Sequence, residues 1–74
     1  MYTQNKEILK KFGSNIRLIR NKLDVSQEKL AGLAGCHRTY IGMIERGEKN
    51  ITLTTMAKLA KALNVQLTDL IKEL

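Results

Sequence analysis

Seventy-four residues make one domain and leave little room for a second core, so tight packing or a second copy of the chain has to add what size alone does not supply. One Cys excludes an internal disulfide, and a lone Cys beside a lone His is no zinc set, so neither a metal nor another cofactor is expected. The net charge of +6 is uneven, with ten Lys/Arg against five Asp/Glu in residues 1–50 and three against two in residues 51–74. A basic front suits a polyanion, or solubility alone, and a nearly neutral back suits a protein surface.

Membrane insertion is not expected, because no apolar run approaches the roughly 18 residues of a span. Met1-Tyr-Thr-Gln-Asn-Lys6 lacks the basic-then-apolar order of a signal peptide. These two readings give a cytoplasmic location and no membrane partner.

Residues 1–4 are polar and expected to fray. From about 5 to 23, Ile8, Phe12, Ile16, Ile19 and Leu23 recur at intervals of four, four, three and four, a helical stripe with Lys6, Lys10, Lys11, Arg17 and Lys22 on other faces. Gly13 inside this helix costs about 1 kcal/mol relative to alanine. Turn-forming residues collect around Asn21–Asp24 and end it.

Ser26 suits the N-cap of a helix over 27–34. Lys29 stands where a capping box needs Glu or Gln, so that motif is incomplete. Leu30, Ala31 and Ala34 share a face of this helix, and Gly35 ends it where positive φ is needed. Cys36 reads as a small buried apolar residue rather than a reactive thiol. His37, at the next N-cap, is either a solvent-facing turn residue or a phosphate contact. The helix over about 38–46 directs Ile41 and Ile44 inward, and Gly47 closes it. Gln27 to Arg46 thus has the spacing of a helix-turn-helix, whose second helix is offered to the major groove of DNA. The residues facing outward are Arg38, Thr39, Gly42, Met43 and Arg46, with Tyr40 at the edge.

Beyond the polar loop Gly47-Glu-Lys-Asn50, Thr52 caps a helix over 53–63 with Leu53, Met56, Leu59, Ala60 and Leu63 inward. Asn64 ends it as a left-handed cap. A final helix over 67–74 carries Leu67, Leu70, Ile71 and Leu74 on its apolar side. With no strand pattern, the expected fold is all-α: a compact five-helix bundle of the lambda repressor-like kind, one domain over 1–74.

Gln27 to Gly47 resembles the helix-turn-helix of the phage Cro and C1 repressor superfamily, also called the XRE family. The run His37-Arg-Thr-Tyr-Ile-Gly-Met-Ile-Glu-Arg-Gly-Glu-Lys-Asn-Ile-Thr-Leu53 looks closer still to the controller proteins of restriction–modification systems, and the likeness extends from Phe12 to about Leu70. His37 and Cys36 depart from the acidic and bulkier aliphatic residues common at those places. The resemblance implies a homodimer that sets two recognition helices about 34 Å apart on a palindromic operator. It also implies autoregulation, with control of the linked endonuclease gene and contact with RNA polymerase.

Within that frame Arg38 is the first candidate for base readout, since a guanidinium can donate two bonds to guanine O6 and N7 and discriminate by about 1–3 kcal/mol. Thr39 suits a phosphate, an adenine or a thymine methyl. Tyr40 either leans on the sugar–phosphate backbone or packs partly in the core. Gly42 permits close backbone approach, and Met43 is either a thymine-methyl contact or an incidental exposed residue. Gln27 lands in the first turn of its helix with its amide free to reach outward, where a docked phosphate would also meet the helix dipole. Arg46, Lys49, Asn50 and Thr52 suit phosphate or groove-edge contacts; the resemblance makes the Lys49 and Asn50 positions DNA-facing. It also makes Arg20 and Glu45 an internal ion pair, although Arg20 can alternatively touch phosphate. Ile51, Leu53, Leu67, Leu70, Ile71 and Leu74 are candidates for a dimer seam, some of them belonging to the core instead.

Three other classes compete. Enzyme motifs are missing: the sequence has no paired carboxylates, activated nucleophile or phosphate-cradling loop. An antitoxin-like module that holds a toxin protein usually carries an additional tail or domain. A phage- or plasmid-type repressor shares the same motif, and only neighbouring genes separate it from a controller.

Overall fold

The computed structural model describes residues 5–74, and the expectation for residues 1–4 lies outside them. Five helices are present among the described residues: α1 (Asn5–Lys22), α2 (Gln27–Ala34), α3 (Arg38–Glu45), α4 (Leu53–Leu63) and α5 (Leu67–Leu70). α3 packs on both α1 and α2, α2 also meets α4, and α5 closes the bundle against α4 and α1. Their shared core is Phe12, Ile16, Leu30, Ala31, Ile41, Ile44, Leu59, Ala60, Leu63 and Leu70. Only the middle of the α1 stripe is fully enclosed; Ile8 and Leu23, at its ends, are exposed.

Each helix ends for a local reason. Asp24 takes the left-handed conformation at φ 59°, while the Val25 amide donates to the Arg20 carbonyl at 3.0 Å, so α1 closes in a Schellman turn on a residue other than glycine. Ser26 Oγ accepts from the Lys29 amide, which satisfies one orphan donor of α2 without the reciprocal half of a capping box. Gly35 (φ 73°) and Gly47 (φ 75°) supply the positive φ that ends α2 and α3. Thr52 Oγ1 accepts from the Thr55 amide to start α4, and Asn64 ends it in the left-handed region.

α5 is shorter than its sequence pattern implies. The apolar residues of 67–74 predict a helix to the end of the chain, yet α5 stops at Leu70. The reason is tertiary. Asn15 of α1 donates to the carbonyls of Leu70 (2.9 Å) and Lys72 (3.0 Å), which gives the Leu70 oxygen a partner other than the Leu74 amide; that amide donates to Ile71 instead. Glu73 then adopts φ 61° and reaches Lys11 of α1 at 3.3 Å.

Gly13 has a tertiary explanation as well. A Cβ there would collide with the Ile44 carbonyl oxygen and stand 2.6 Å from that of Glu45. The glycine lets α1 lie directly against the end of α3, so its intrinsic cost to the helix is the condition for their contact.

Candidate nucleic-acid interface

α3 is fixed from the inside by Ile41 and Ile44, both buried. His37 starts it, exposed to solvent and with Nδ1 accepting from the Thr39 amide at 3.2 Å, so the imidazole caps the helix. On the other side of the helix Arg38 and Thr39 are exposed, as are Arg46 in its C-cap and Lys49, Asn50 and Thr52 in the following segment. Among the described residues neither Arg38 nor Lys49 has a carboxylate within ion-pair distance. Free guanidinium and ammonium groups therefore stand at both ends of the exposed strip, an arrangement that can neutralise phosphate.

Other sequence candidates are less exposed or are already hydrogen-bonded within the protein. Gln27 is only half-exposed, and its amide, expected to be free, donates to Glu45 Oε1 at 3.0 Å. A buried carboxylate needs donors, and α2 starts beside the end of α3, so the Gln27 amide turns to Glu45. Gly42 is buried. A Cβ there would meet Arg46 Nη1 at 3.2 Å and lie 3.9 Å from Gln27 Oε1, so the opening it leaves is covered by protein side chains. Tyr40 is partly buried against the core, and Met43 is half-buried. Thr52 is exposed, but its hydroxyl is used in the α4 cap and in contacts with the Thr54 and Thr55 hydroxyls.

Glu45 is the single buried charged residue among those described. Its carboxylate accepts from Arg20 Nε at 2.7 Å and Arg20 Nη2 at 3.2 Å, from Gln27, and from Arg17 Nε at 3.4 Å. Arg20 Nη1 is also engaged, donating to the Val25 carbonyl, so its guanidinium is turned inward. Burial alone would raise the Glu45 pKa; the hydrogen bonds from Arg20, Gln27 and Arg17 outweigh it and hold the carboxyl below the ordinary value. Cys36, expected buried, is only partly so and packs against the edge of the core; burial raises its thiol against an opposing pull from Lys58.

Two members of this region escape the sequence reading. Arg17 lies one helical turn before Arg20, and that i, i+3 spacing is a signal that would have joined it to the same carboxylate. Glu48 carries no such signal: it clamps Arg46 through Nε–Oε2 at 2.8 Å and Nη2–Oε1 at 3.2 Å across a turn that only the fold defines.

Of the proposed dimer residues, Leu70 is fully buried and belongs to the monomer core. Leu70 thus takes the core alternative that the sequence left open for this set, on a helix that packs against α1 and α4. Ile51 and Leu67 are partly buried against the core, whereas Leu53, Ile71 and Leu74 are exposed. Leu53, expected inward on α4, is the first residue of that helix and stands outside the core that Leu59, Ala60 and Leu63 enter.

The family model for the helix-turn-helix matches residues 16–70. Control protein C.SmaI of Serratia marcescens is 52% identical over 66 residues, spanning 89% of this chain and 75% of that protein. Control protein C.BamHI of Bacillus amyloliquefaciens is 51% identical over 61 residues, spanning 81% of this chain and 75% of its own length. The crystal structure of the restriction-modification controller protein C.AhdI from Aeromonas hydrophila superposes with a TM-score of 0.82 at 44% identity, covering 84% of this chain and 94% of that one.

Proposed function

The chain belongs to the helix-turn-helix family and is a DNA-binding transcription regulator, and from that premise we propose that it is a restriction–modification controller acting as a homodimer on a palindromic operator. The observation that carries this reading is the exposed strip that starts at Arg38 and Thr39, on a helix whose inner side is locked in the core, and continues to Lys49 and Asn50 in the segment after it. The identity to two control proteins supports the choice among regulators.

In this reading each protomer inserts α3 in a major groove. Arg38 reads a base edge and Thr39 contacts a neighbouring base or phosphate. Lys49 and Asn50 hold the DNA backbone and fix the register. Leu53, Ile71 and Leu74 contribute to the seam that sets the two recognition helices about one DNA turn apart. The operator lies before the protein's own gene and the linked endonuclease gene, where one bound dimer favours RNA polymerase and a second shuts transcription. The protein acts in the cytoplasm, where its DNA is.

The test is binding to the duplex upstream of its own coding sequence, compared with a scrambled duplex of equal length and composition. The expected result is preferential binding with two protomers per half-site pair. Equal affinity for both duplexes at moderate salt overturns the operator assignment.

A further inference from the structure

Arg38, Gly42 and Arg46 occupy successive turns of the recognition helix and its cap, with Gly42 between the two arginines. The glycine leaves room for a guanidinium: a Cβ at position 42 would stand 3.2 Å from Arg46 Nη1. Arg46 therefore folds back over its own helix. There its side-on edge, Nε and Nη2, is filled by the Glu48 carboxylate at 2.8 and 3.2 Å. The Glu48 backbone is not free to drift. Its amide donates to the Met43 carbonyl at 2.9 Å, and Gly47 at φ 75° fixes the turn before it.

A side-on carboxylate occupies the donor pair that a phosphate would otherwise take bidentately. Arg46 is thus a cation on the DNA-facing side whose best phosphate-binding edge is already satisfied by the protein. We propose that Glu48 is a specificity-determining residue, holding Arg46 in one pose over Gly42 and withholding it from phosphates of non-cognate DNA. A duplex docked in the correct register by Arg38 meets the donors that Glu48 leaves open, whereas a misregistered duplex has to displace the carboxylate. Both partners are about half exposed, so salt screens the pair. Its effect is read in the ratio of affinities, not in the stability of the fold. The inference rests on α3 being the DNA-facing helix.

The experiment measures affinity of the wild type, Glu48→Gln, Arg46→Gln and the double variant for the upstream duplex and the scrambled duplex over a salt series. Glu48→Gln is expected to tighten binding to the scrambled duplex severalfold, tighten the upstream duplex less, and steepen the scrambled-duplex salt slope by about 0.9, the value of one phosphate contact. This change is expected to vanish in the Arg46→Gln background. An equal gain on both duplexes, or an undiminished gain when Arg46 is already Gln, overturns the proposal, because deletion of any carboxylate near DNA would then account for it. A wild type that binds both duplexes alike sinks the operator assignment, while the cycle on the scrambled duplex still reports on Glu48.

Discussion

Arg20 of α1 and Glu45 of α3 are joined by two hydrogen bonds, 2.7 and 3.2 Å long, around a carboxylate side chain with no exposed surface. The pair fastens the inner end of the recognition helix to the helix behind it. Arg20→Ala leaves that buried charge with only Gln27 and the more distant Arg17, and should cost about 3 kcal/mol, the lower end for a broken buried pair. Urea denaturation measures it, and a loss under about 1 kcal/mol would show a wet, weak pair.

The same carboxylate gives the stability a defined pH dependence. Its folded-state pKa is lowered from the ordinary value, so the folded chain binds fewer protons than the unfolded chain in acid. The contribution is complete above the unfolded value and is lost as pH falls through the folded one. Glu45→Gln should lower stability at neutral pH and flatten the acid limb of the stability curve. Denaturant midpoints at stepped pH would reveal it; an unchanged acid limb would assign the dependence to other carboxyls.

Gly13→Ala improves helix propensity by about 1 kcal/mol yet forces a methyl group into the carbonyls of Ile44 and Glu45. Those are backbone atoms with no rotamer to change, so a net loss of about 2 kcal/mol or more is expected from overpacking. In a domain this small each kcal/mol lowers Tm by about 4–8 °C. A variant as stable as the parent would mean that α1 moves freely against α3.

The two ends of the exposed strip should behave differently. Arg38→Ala is expected to relax preference at one operator position by about 1–3 kcal/mol. Lys49→Ala should weaken all duplexes alike and reduce the salt slope by about 0.9. Binding to a set of single-base operator variants separates the two, and uniform weakening by Arg38→Ala would remove its base-reading role.

Self-association and folding should respond to different leucines. Leu53, at 65% exposure, stands outside the core, whereas Leu70 is at 0%. Leu53→Asp should weaken the dimer with little change in monomer secondary structure. Leu70→Ala should destabilise the fold by about 2–5 kcal/mol. Sedimentation equilibrium and circular dichroism distinguish these outcomes, and a Leu53→Asp dimer as tight as the parent would place the seam elsewhere.

Local chemistry alone determined the recognition helix and its neighbours. Ser26, Gly35, Gly47, Thr52 and Asn64 act at helix ends through backbone preferences and nearby hydrogen bonds, and the spacing of Ile41 and Ile44 selects the inward side of α3. These effects operate within a few residues and are therefore written in the order of the chain. The early stop of α5, the need for Gly13 and the diversion of Gln27 depend on Asn15, on two α3 carbonyls and on Glu45. Each lies far along the chain from the residue it governs. Only packing brings those partners within hydrogen-bond or contact distance, so the tertiary structure decided which polar groups remain free to meet DNA and which are consumed in holding α3 in place.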